Sequence, residues 1–187
     1  MKNDIFRGKL VRLTTEDSQV LAEAMSKWRR DSEFHRLLDS EMAMASSVKG
    51  TKSFIEKYLE KENPDLIFFT IHTLEEDRLI GFIGLDGLQW TPGDAFVFIA
   101  LGEREYWGKG YGTDAMRVIL RYAFTELNLH RVSLDVFEYN PRAIRSYEKV
   151  GFRHEGRKRK SLSRDGQRAD DVWMGILREE WLHLQEA

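Results

Sequence analysis

Three runs rich in β-branched and aromatic residues follow one another in the middle of the chain, with only short breaks between them. They read DLIFFTIH (65–72), RLIGFIGLDGL (78–88) and DAFVFIAL (94–101), and the breaks contain turn residues. Runs of this kind predict strands, and connections this short join strands that lie side by side and antiparallel. The sequence therefore predicts an antiparallel meander at the centre of the fold.

Helical and strand-like patterns surround this meander. The helical ones lie at 14–30, 51–62, 113–128 and 140–152, and the strand-like ones at 9–13, 131–138 and 153–177, the last a hairpin that turns at Asp165-Gly166. Thr14, three residues before Asp17, is a candidate N-cap for the first helix, and Asn63-Pro64 is a stop signal for the second. Residues 31–50 follow neither pattern. The 187 residues predict one domain, residues 1–187, of mixed α/β class.

Composition narrows the class of function. The formal charge of −2 argues against nucleic acid as a partner, and the absence of cysteine excludes a thiolate nucleophile and a cysteine metal site. The five histidines are scattered, so a metal site has no support. No apolar run approaches the ~18 residues of a membrane span, and the N-terminus lacks the apolar core of a signal peptide. We expect a cytoplasmic protein without a membrane partner.

A glycine-rich loop, YWGKGYGTDAM (106–116), follows the meander and opens a helical pattern. A strand, a glycine loop and a helix in this order direct free backbone N–H groups and the helix dipole at an anion, typically a phosphate. Lys109 is not followed by Ser or Thr, so the loop is not a Walker A motif. The spacing Gly108-x-Gly110-x-Gly112 does not match the dinucleotide fingerprint either. The loop predicts a phosphate site of another kind.

A second motif, NPRAIRSYEKVGF (140–152), has clear helix punctuation. Asn140 suits an N-cap, Pro141 the first helical position, and Gly151 the position just past the end. Together the two motifs resemble the signature segments of the GNAT superfamily of acyl-CoA-dependent N-acetyltransferases. The resemblance is to the branch with ribosomal-protein-alanine and spermidine acetyltransferases, and it is strong over residues 79–177. The second motif matches at Asn140, Ala143, Tyr147, Gly151 and Phe152.

The resemblance implies a GNAT-like fold, whose mostly antiparallel, twisted sheet is splayed near the cofactor and flanked by helices. It implies acetyl-CoA as cosubstrate, no metal, and direct attack of a primary amine in a ternary complex. The residues expected to contact acetyl-CoA are Ala100, Leu101, Trp107, Gly108, Lys109, Gly110, Tyr111, Gly112, Thr113, Asn140, Ala143, Arg145 and Tyr147. Trp107 stands where the family has Gln or Arg, which removes one polar side chain from the phosphate site.

The resemblance also implies roles in the reaction. A backbone N–H around Ala100 and Leu101 would polarise the thioester carbonyl. Tyr147 would protonate the leaving thiolate, although its helical spacing with Ile144 and Val150 also suits a core position. Arg145 and Lys149 are candidates for the phosphates of coenzyme A.

The general base is left open by the sequence. Phe96 stands where relatives carry a glutamate, so Asp86, Asp135, Glu138 or a water path are the alternatives, each carboxylate being equally compatible with a turn or a solvated surface. The missing acid also predicts an acceptor pocket less acidic than a polyamine would need.

The acceptor amine is open too: a protein N-terminus, a polyamine, an antibiotic or a small metabolite. Residues 28–50 would form a wall of its site. The basic run 153–164 is either the solvated face of a hairpin or a surface for RNA or a phosphate. A homodimer is an open expectation, and a non-catalytic module that binds coenzyme A or a protein on the same fold is the alternative function.

Overall fold

A computed structural model describes residues 4–59 and 65–186. Within these residues a seven-stranded sheet has the order β1-β2-β3-β4-β5-β7-β6, and each neighbouring pair is antiparallel except β4–β5, which is parallel. The strands are β1 (Val11–Thr14), β2 (Leu66–Thr73), β3 (Leu79–Gln89), β4 (Asp94–Leu101), β5 (Arg131–Phe137), β6 (Arg153–Arg164) and β7 (Gln167–Leu177). The predicted meander is β2–β3–β4, and the mixed α/β class is confirmed.

Helices cover both faces of the sheet. They are α1 (Ser18–Trp28), α2 (Ser32–Leu38), α3 (Val48–Tyr58), α4 (Tyr111–Thr125), α5 (Pro141–Glu148) and α6 (Arg178–Glu186), with a single 3-10 turn at Arg104–Tyr106. Buried residues of α1, α2 and α3 pack on Phe82 and Ala100. The larger core lies on the other face, where α4 packs on alternate residues of the strands. Both cores share the strands that carry the site.

Several helix boundaries differ from the prediction. Asp17 caps α1 by accepting hydrogen bonds from the amides of Gln19 and Val20, so Thr14 is not the cap and instead ends β1. Helix α3 begins at Val48, three residues before the predicted start at residue 51. The side chain of Ser47 caps it by accepting a hydrogen bond from the amide of Gly50. The predicted stop at Asn63-Pro64 lies outside the described residues. Helices α2 and α6 were not predicted.

The hairpin of β6 and β7 turns at Asp165-Gly166, as predicted. Both residues have positive φ, 50° and 73°, as a two-residue turn of the primed type requires. Residues of β6 are mostly exposed, which supports the solvated-face interpretation of the basic run.

The sheet opens between its two parallel strands. β4 pairs with β5 only over Asp94–Phe96 opposite Arg131–Ser133. Beyond this stretch the two strands are no longer paired, and their residues line a cavity. The predicted splay is therefore present, and it lies directly before the glycine loop.

Candidate active site

A cavity of about 400 Å³ fills the gap between the splayed halves of β4 and β5. The glycine loop and the start of α4 close one end, α5 forms a side, and α2 covers the opposite end. The cavity thus passes from one face of the sheet to the other. Two molecules can meet within it, one approaching from the glycine loop and one from α2.

The glycine loop presents backbone donors to the cavity. Gly108 and Gly110 have φ of 72° and 93°, a left-handed conformation that glycine adopts without strain. Gly110 is the N-cap of α4 and has no side chain to cap the first turn. The N–H groups at this helix start are therefore available to an anion, and the dipole of a 15-residue helix supports one.

Two arginines contact the ring of Trp107. Its indole N–H donates to the carbonyl of Leu101 at 2.7 Å, while the guanidinium carbons of Arg142 and Arg104 lie 4.0 Å and 5.0 Å from the ring centre. Cation–π contacts of this kind fix a guanidinium over an aromatic face.

The two arginines differ in their other partners. Arg104 is paired with Asp31 and Glu33, whereas Arg142, within the described part of the chain, makes no ion pair and lines the cavity. Burial is the main cause that lowers the pKa of Arg142; the charge of Glu33 opposes this shift and that of Arg104 adds to it. Sequence reasoning missed Arg142. Two features of the sequence could have indicated Arg142. It is a cation in the first turn of the second motif, and the first motif has Trp107 where the family has a polar residue.

Backbone N–H groups at the end of β4 face the gap on alternate residues. The amide of Gly102 donates to the carbonyl of Ile80 in β3 at 2.9 Å. Because successive amides of a strand point to opposite sides, that of Ala100 also faces β3 and that of Leu101 faces the splayed side. Of the two residues expected to polarise a carbonyl, the strand geometry favours Leu101.

Tyr147 lines the cavity from α5 and also packs against the larger core. Burial, and secondarily the carboxylate of Asp135, raise the pKa of Tyr147 to about 12. The phenol is therefore protonated throughout the neutral range. Asn140 caps the same helix by accepting a hydrogen bond from the amide of Ala143 at 3.2 Å, which fixes the start of α5 beside the cavity.

The three candidate bases are placed differently. Asp86 is exposed and accepts a hydrogen bond from the amide of Gly87 at an irregular part of β3. Glu138 binds Arg157 and the amide of Asp170 on the hairpin. Asp135 alone of the three lines the cavity.

A second carboxyl group lies beside Asp135. Asp171, on the neighbouring strand β7, has one oxygen, Oδ1, that is buried and without a hydrogen-bond donor among the described residues. Burial first, and then the charge and hydrogen bond of Asp135, raise the pKa of Asp171 to about 6. Asp171 therefore takes up its proton beside Asp135 at a pH above the usual range of a carboxyl group. Sequence reasoning missed this pair because β5 and β7 are far apart along the chain.

The other predicted contact residues divide into two groups. Those that line the cavity are Ala100, Gly112, Thr113, Ala143, Arg145 and Lys149, and the hydroxyl of Thr113 is bonded to that of Ser146 at 2.7 Å. Lys109 and Tyr111 are not among the lining residues; Lys109 is exposed, and Tyr111 packs edge-on against Tyr106. Arg142, which lies 4.0 Å from the ring of Trp107, lines the cavity, whereas Lys109 does not.

Helix α2 is fastened over the cavity by the hairpin. Arg164 donates hydrogen bonds to the carbonyls of Asp39, Ser40 and Glu41, just after α2, and the Tyr139 hydroxyl donates to the carbonyl of Arg36. Phe34, Leu37 and Leu38, which lie within the segment 28–50 expected to wall the acceptor site, line the cavity. One part of the basic run holds this wall in place.

The described residues show neither a metal-binding cluster nor a membrane-spanning helix. Residues 4–59 and 65–186 contain no group of three or more potential metal-ligating side chains. None of their helices has the length and apolar character needed to cross a bilayer.

Comparisons with known proteins agree with this geometry. Residues 7–153 match the family described as acetyltransferase (GNAT) domain. The chain is 35% identical over 133 residues to "Probable N-acetyltransferase YjcK" of Bacillus subtilis (strain 168), across 70% of this chain and 73% of that protein. It is 32% identical over 111 residues to spermidine N(1)-acetyltransferase of Vibrio cholerae, across 59% and 64% of the two chains. A crystal structure of spermidine N-acetyltransferase from Vibrio cholerae with CoA and spermine has a TM-score of 0.80 at 23% identity, covering 92% of this chain and 98% of that one.

Proposed function

The chain belongs to the GNAT family of acetyltransferases, and from this premise we propose how its own residues move an acetyl group from acetyl-CoA to a primary amine. The observation that carries the proposal is the cavity between β4 and β5. It joins an uncapped helix start, a free strand amide, a protonated phenol and a carboxyl pair.

Acetyl-CoA enters from the glycine loop in this account. The pyrophosphate is held by the backbone N–H groups at the start of α4 and by Arg142, which supplies the charge that Trp107 does not. Arg145 and Lys149, exposed at the same side of the cavity, are placed for the remaining phosphate. The thioester then lies at the splay, where the amide of Leu101 donates to the carbonyl oxygen.

The reaction needs two proton transfers. The amine nitrogen forms a bond to the carbonyl carbon as the carbon–sulfur bond breaks, and holding both molecules in one cavity lowers the barrier by proximity. Asp135, directly or through water, takes the proton that nitrogen loses. Tyr147 gives a proton to sulfur and is then reprotonated from solvent. A phenol with a pKa of about 12 is a weaker acid than a thiol, so it donates only as negative charge develops on sulfur.

The Arg142→Met variant tests the donor site. Loss of an ionic hydrogen bond to phosphate costs about 1.5–3 kcal/mol, so we expect acetyl-CoA to bind about tenfold or more weakly in calorimetry. Arg104→Met is the matched control, since Arg104 also contacts the ring of Trp107 but pairs with Asp31 and Glu33. Equal losses of affinity in the two variants would contradict a phosphate contact by Arg142.

The carboxyl pair predicts a pH dependence. The logarithm of kcat/KM should rise with slope one as the amine deprotonates, and should steepen to slope two below pH about 6, where Asp171 takes up a proton beside Asp135. Lys158, which also faces Asp171, opposes this shift. The Asp171→Asn variant should lose the steepening near pH 6, and an unchanged profile in that variant would exclude the pair from the proton path.

Acceptor, domain and location are further parts of the proposal. A polyamine is one acceptor class to test, because a Vibrio cholerae relative is a spermidine acetyltransferase.

One N-acetyltransferase domain over residues 1–187 is supported by two cores built on the same strands. A cytoplasmic location is supported by the absence of cysteine. Light scattering after size exclusion tests the expected homodimer.

A two-step experiment tests the function. Calorimetry should show binding of acetyl-CoA and none of ATP, and a thiol-release assay should then show turnover with a primary amine. Binding without thiol release from any amine would favour the non-catalytic module, and no binding of acetyl-CoA would overturn the proposed site.

A further inference from the structure

The end of the cavity that faces α2 is apolar. Its walls are Phe34, Leu37 and Leu38 from α2, Phe96 and Phe98 from β4, and Phe137 from β5. Side chains of this kind cannot hydrogen-bond a polar ligand, so they select for apolar surface. This is the end that lies away from the glycine loop, where the acceptor must enter.

These aromatic walls are held in place from behind. The ring of Phe34 lies 6.3 Å from that of Trp28, and Phe98 stacks on Phe68 at 6.3 Å. Phe96 makes an edge-on contact with Trp173 at 5.4 Å. The apolar surface is therefore a built feature of the fold, supported by a larger aromatic cluster.

Charge in the cavity is distributed unevenly. Asp135 is the sole carboxylate among the described lining residues. The lining cations are Arg142, Arg145 and Lys149, on the helix that faces the donor. The acceptor end thus offers one anionic position, beside Tyr147, and rings around it.

The energetics favour an acceptor with a single charge. One ammonium can pair with Asp135, but each further ammonium would leave water for a ring-lined surface, which costs several kcal/mol. A cation–π contact with a phenylalanine ring returns only about 0.5–2 kcal/mol. An aromatic body, in contrast, gains about 25 cal/mol for each Å² of apolar surface that it buries.

Resting on the proposed function, we infer that the acceptor is a primary amine with one ammonium group and an aromatic or similarly apolar body, bound between α2 and the splayed end of β4. The ammonium lies at Asp135 and the body lies against Phe96, Phe98 and Phe34. A free arylalkylamine and an N-terminal aromatic residue share this chemistry, and the experiment separates them.

The first measurement compares kcat/KM for 2-phenylethylamine, phenylalaninamide and spermidine in the thiol-release assay. We expect at least one aromatic amine to exceed spermidine by tenfold or more. A higher value for 2-phenylethylamine indicates a free amine, and a higher value for phenylalaninamide indicates a peptide N-terminus. Spermidine equal to or better than both aromatic amines would overturn the inference.

The second measurement asks whether a carboxylate in the aromatic wall shifts the preference from an aromatic amine toward spermidine. Phe96→Glu places a carboxylate in the aromatic wall, and Phe96→Gln is the matched uncharged control. We expect the ratio of spermidine to 2-phenylethylamine kcat/KM to rise about tenfold more in the glutamate variant than in the glutamine variant. An equal change in both would show that charge at this wall does not select the acceptor.

Failure of the inference and failure of the proposed function give different results. If acetyl-CoA binds in calorimetry and spermidine is the better acceptor, the enzyme is retained and only the acceptor class is wrong. If acetyl-CoA does not bind to the unaltered protein, the donor site itself is wrong.

Discussion

The Tyr147→Phe variant should lose about 100-fold in kcat while it binds acetyl-CoA as tightly as the unaltered enzyme. The substitution removes only the phenol oxygen, so the ring still packs against the larger core beside Ile144. Loss of a positioned general acid costs about 10²–10⁴-fold in rate, and 100-fold corresponds to about 2.7 kcal/mol in the barrier. Steady-state thiol release and calorimetry together measure both quantities.

Tyr111→Phe is the matched control for this prediction. Tyr111 lies outside the cavity lining and packs edge-on against Tyr106, so loss of its hydroxyl should change kcat less than twofold. A Tyr147→Phe variant that keeps more than half of the kcat would show that the phenol only fills space in the core.

The Gly81→Ala variant should be strongly destabilised, because Gly81 lies where β3 and β4 approach closely. A Cβ at Gly81 would overlap the carbonyl oxygen of Ala100 and lie 3.0 Å from the Cα of Leu101. Both are backbone atoms, so β3 and β4 must separate to make room. Overpacking of this kind costs about 3 kcal/mol, which lowers Tm by about 6–12 °C for a domain of this size.

Gly156→Ala serves as the control for stability. Gly156 also lies in a strand, but a Cβ there would have no neighbour within 4 Å, so its Tm should stay within about 2 °C. Thermal unfolding by circular dichroism compares the two variants. Equal Tm losses would mean that the tight approach of β3 and β4 does not constrain the sheet.

The strands of the meander could be predicted because their signal is local. β4 was predicted at its observed limits, 94–101. A short run of apolar residues bounded by turn residues is typical of a buried strand. The hairpin turn at Asp165-Gly166 is equally local, because positive φ at both positions favours this dipeptide. The helix of the second motif followed from Asn140 and Pro141 in the same way.

Features that depend on tertiary contacts were missed. Helix α2 has only seven residues, too few for a periodic pattern, and contacts from Arg164 and Tyr139 hold the end of it. Val20 in α1 and Phe54 in α3 are apolar yet 45% and 42% exposed, which the sequence alone does not indicate.

The candidate site was predicted in part for the same reason. Its donor half lies in two contiguous motifs, so Gly110, Asn140 and Tyr147 could be named as contacts before the structure. The pairing of Asp135 with Asp171, and the stacking of Arg142 on Trp107, arise only when distant segments meet. Spacing along a chain does not encode such contacts.

Initial rates with both substrates varied show whether acetyl-CoA and the amine occupy the cavity at the same time. Thiol release is measured over a grid of acetyl-CoA and acceptor concentrations, with the best amine of the panel. We predict double-reciprocal lines that intersect, as attack within a ternary complex requires. Parallel lines, together with an acetylated protein isolated after incubation with acetyl-CoA alone, would show a covalent intermediate and contradict the account.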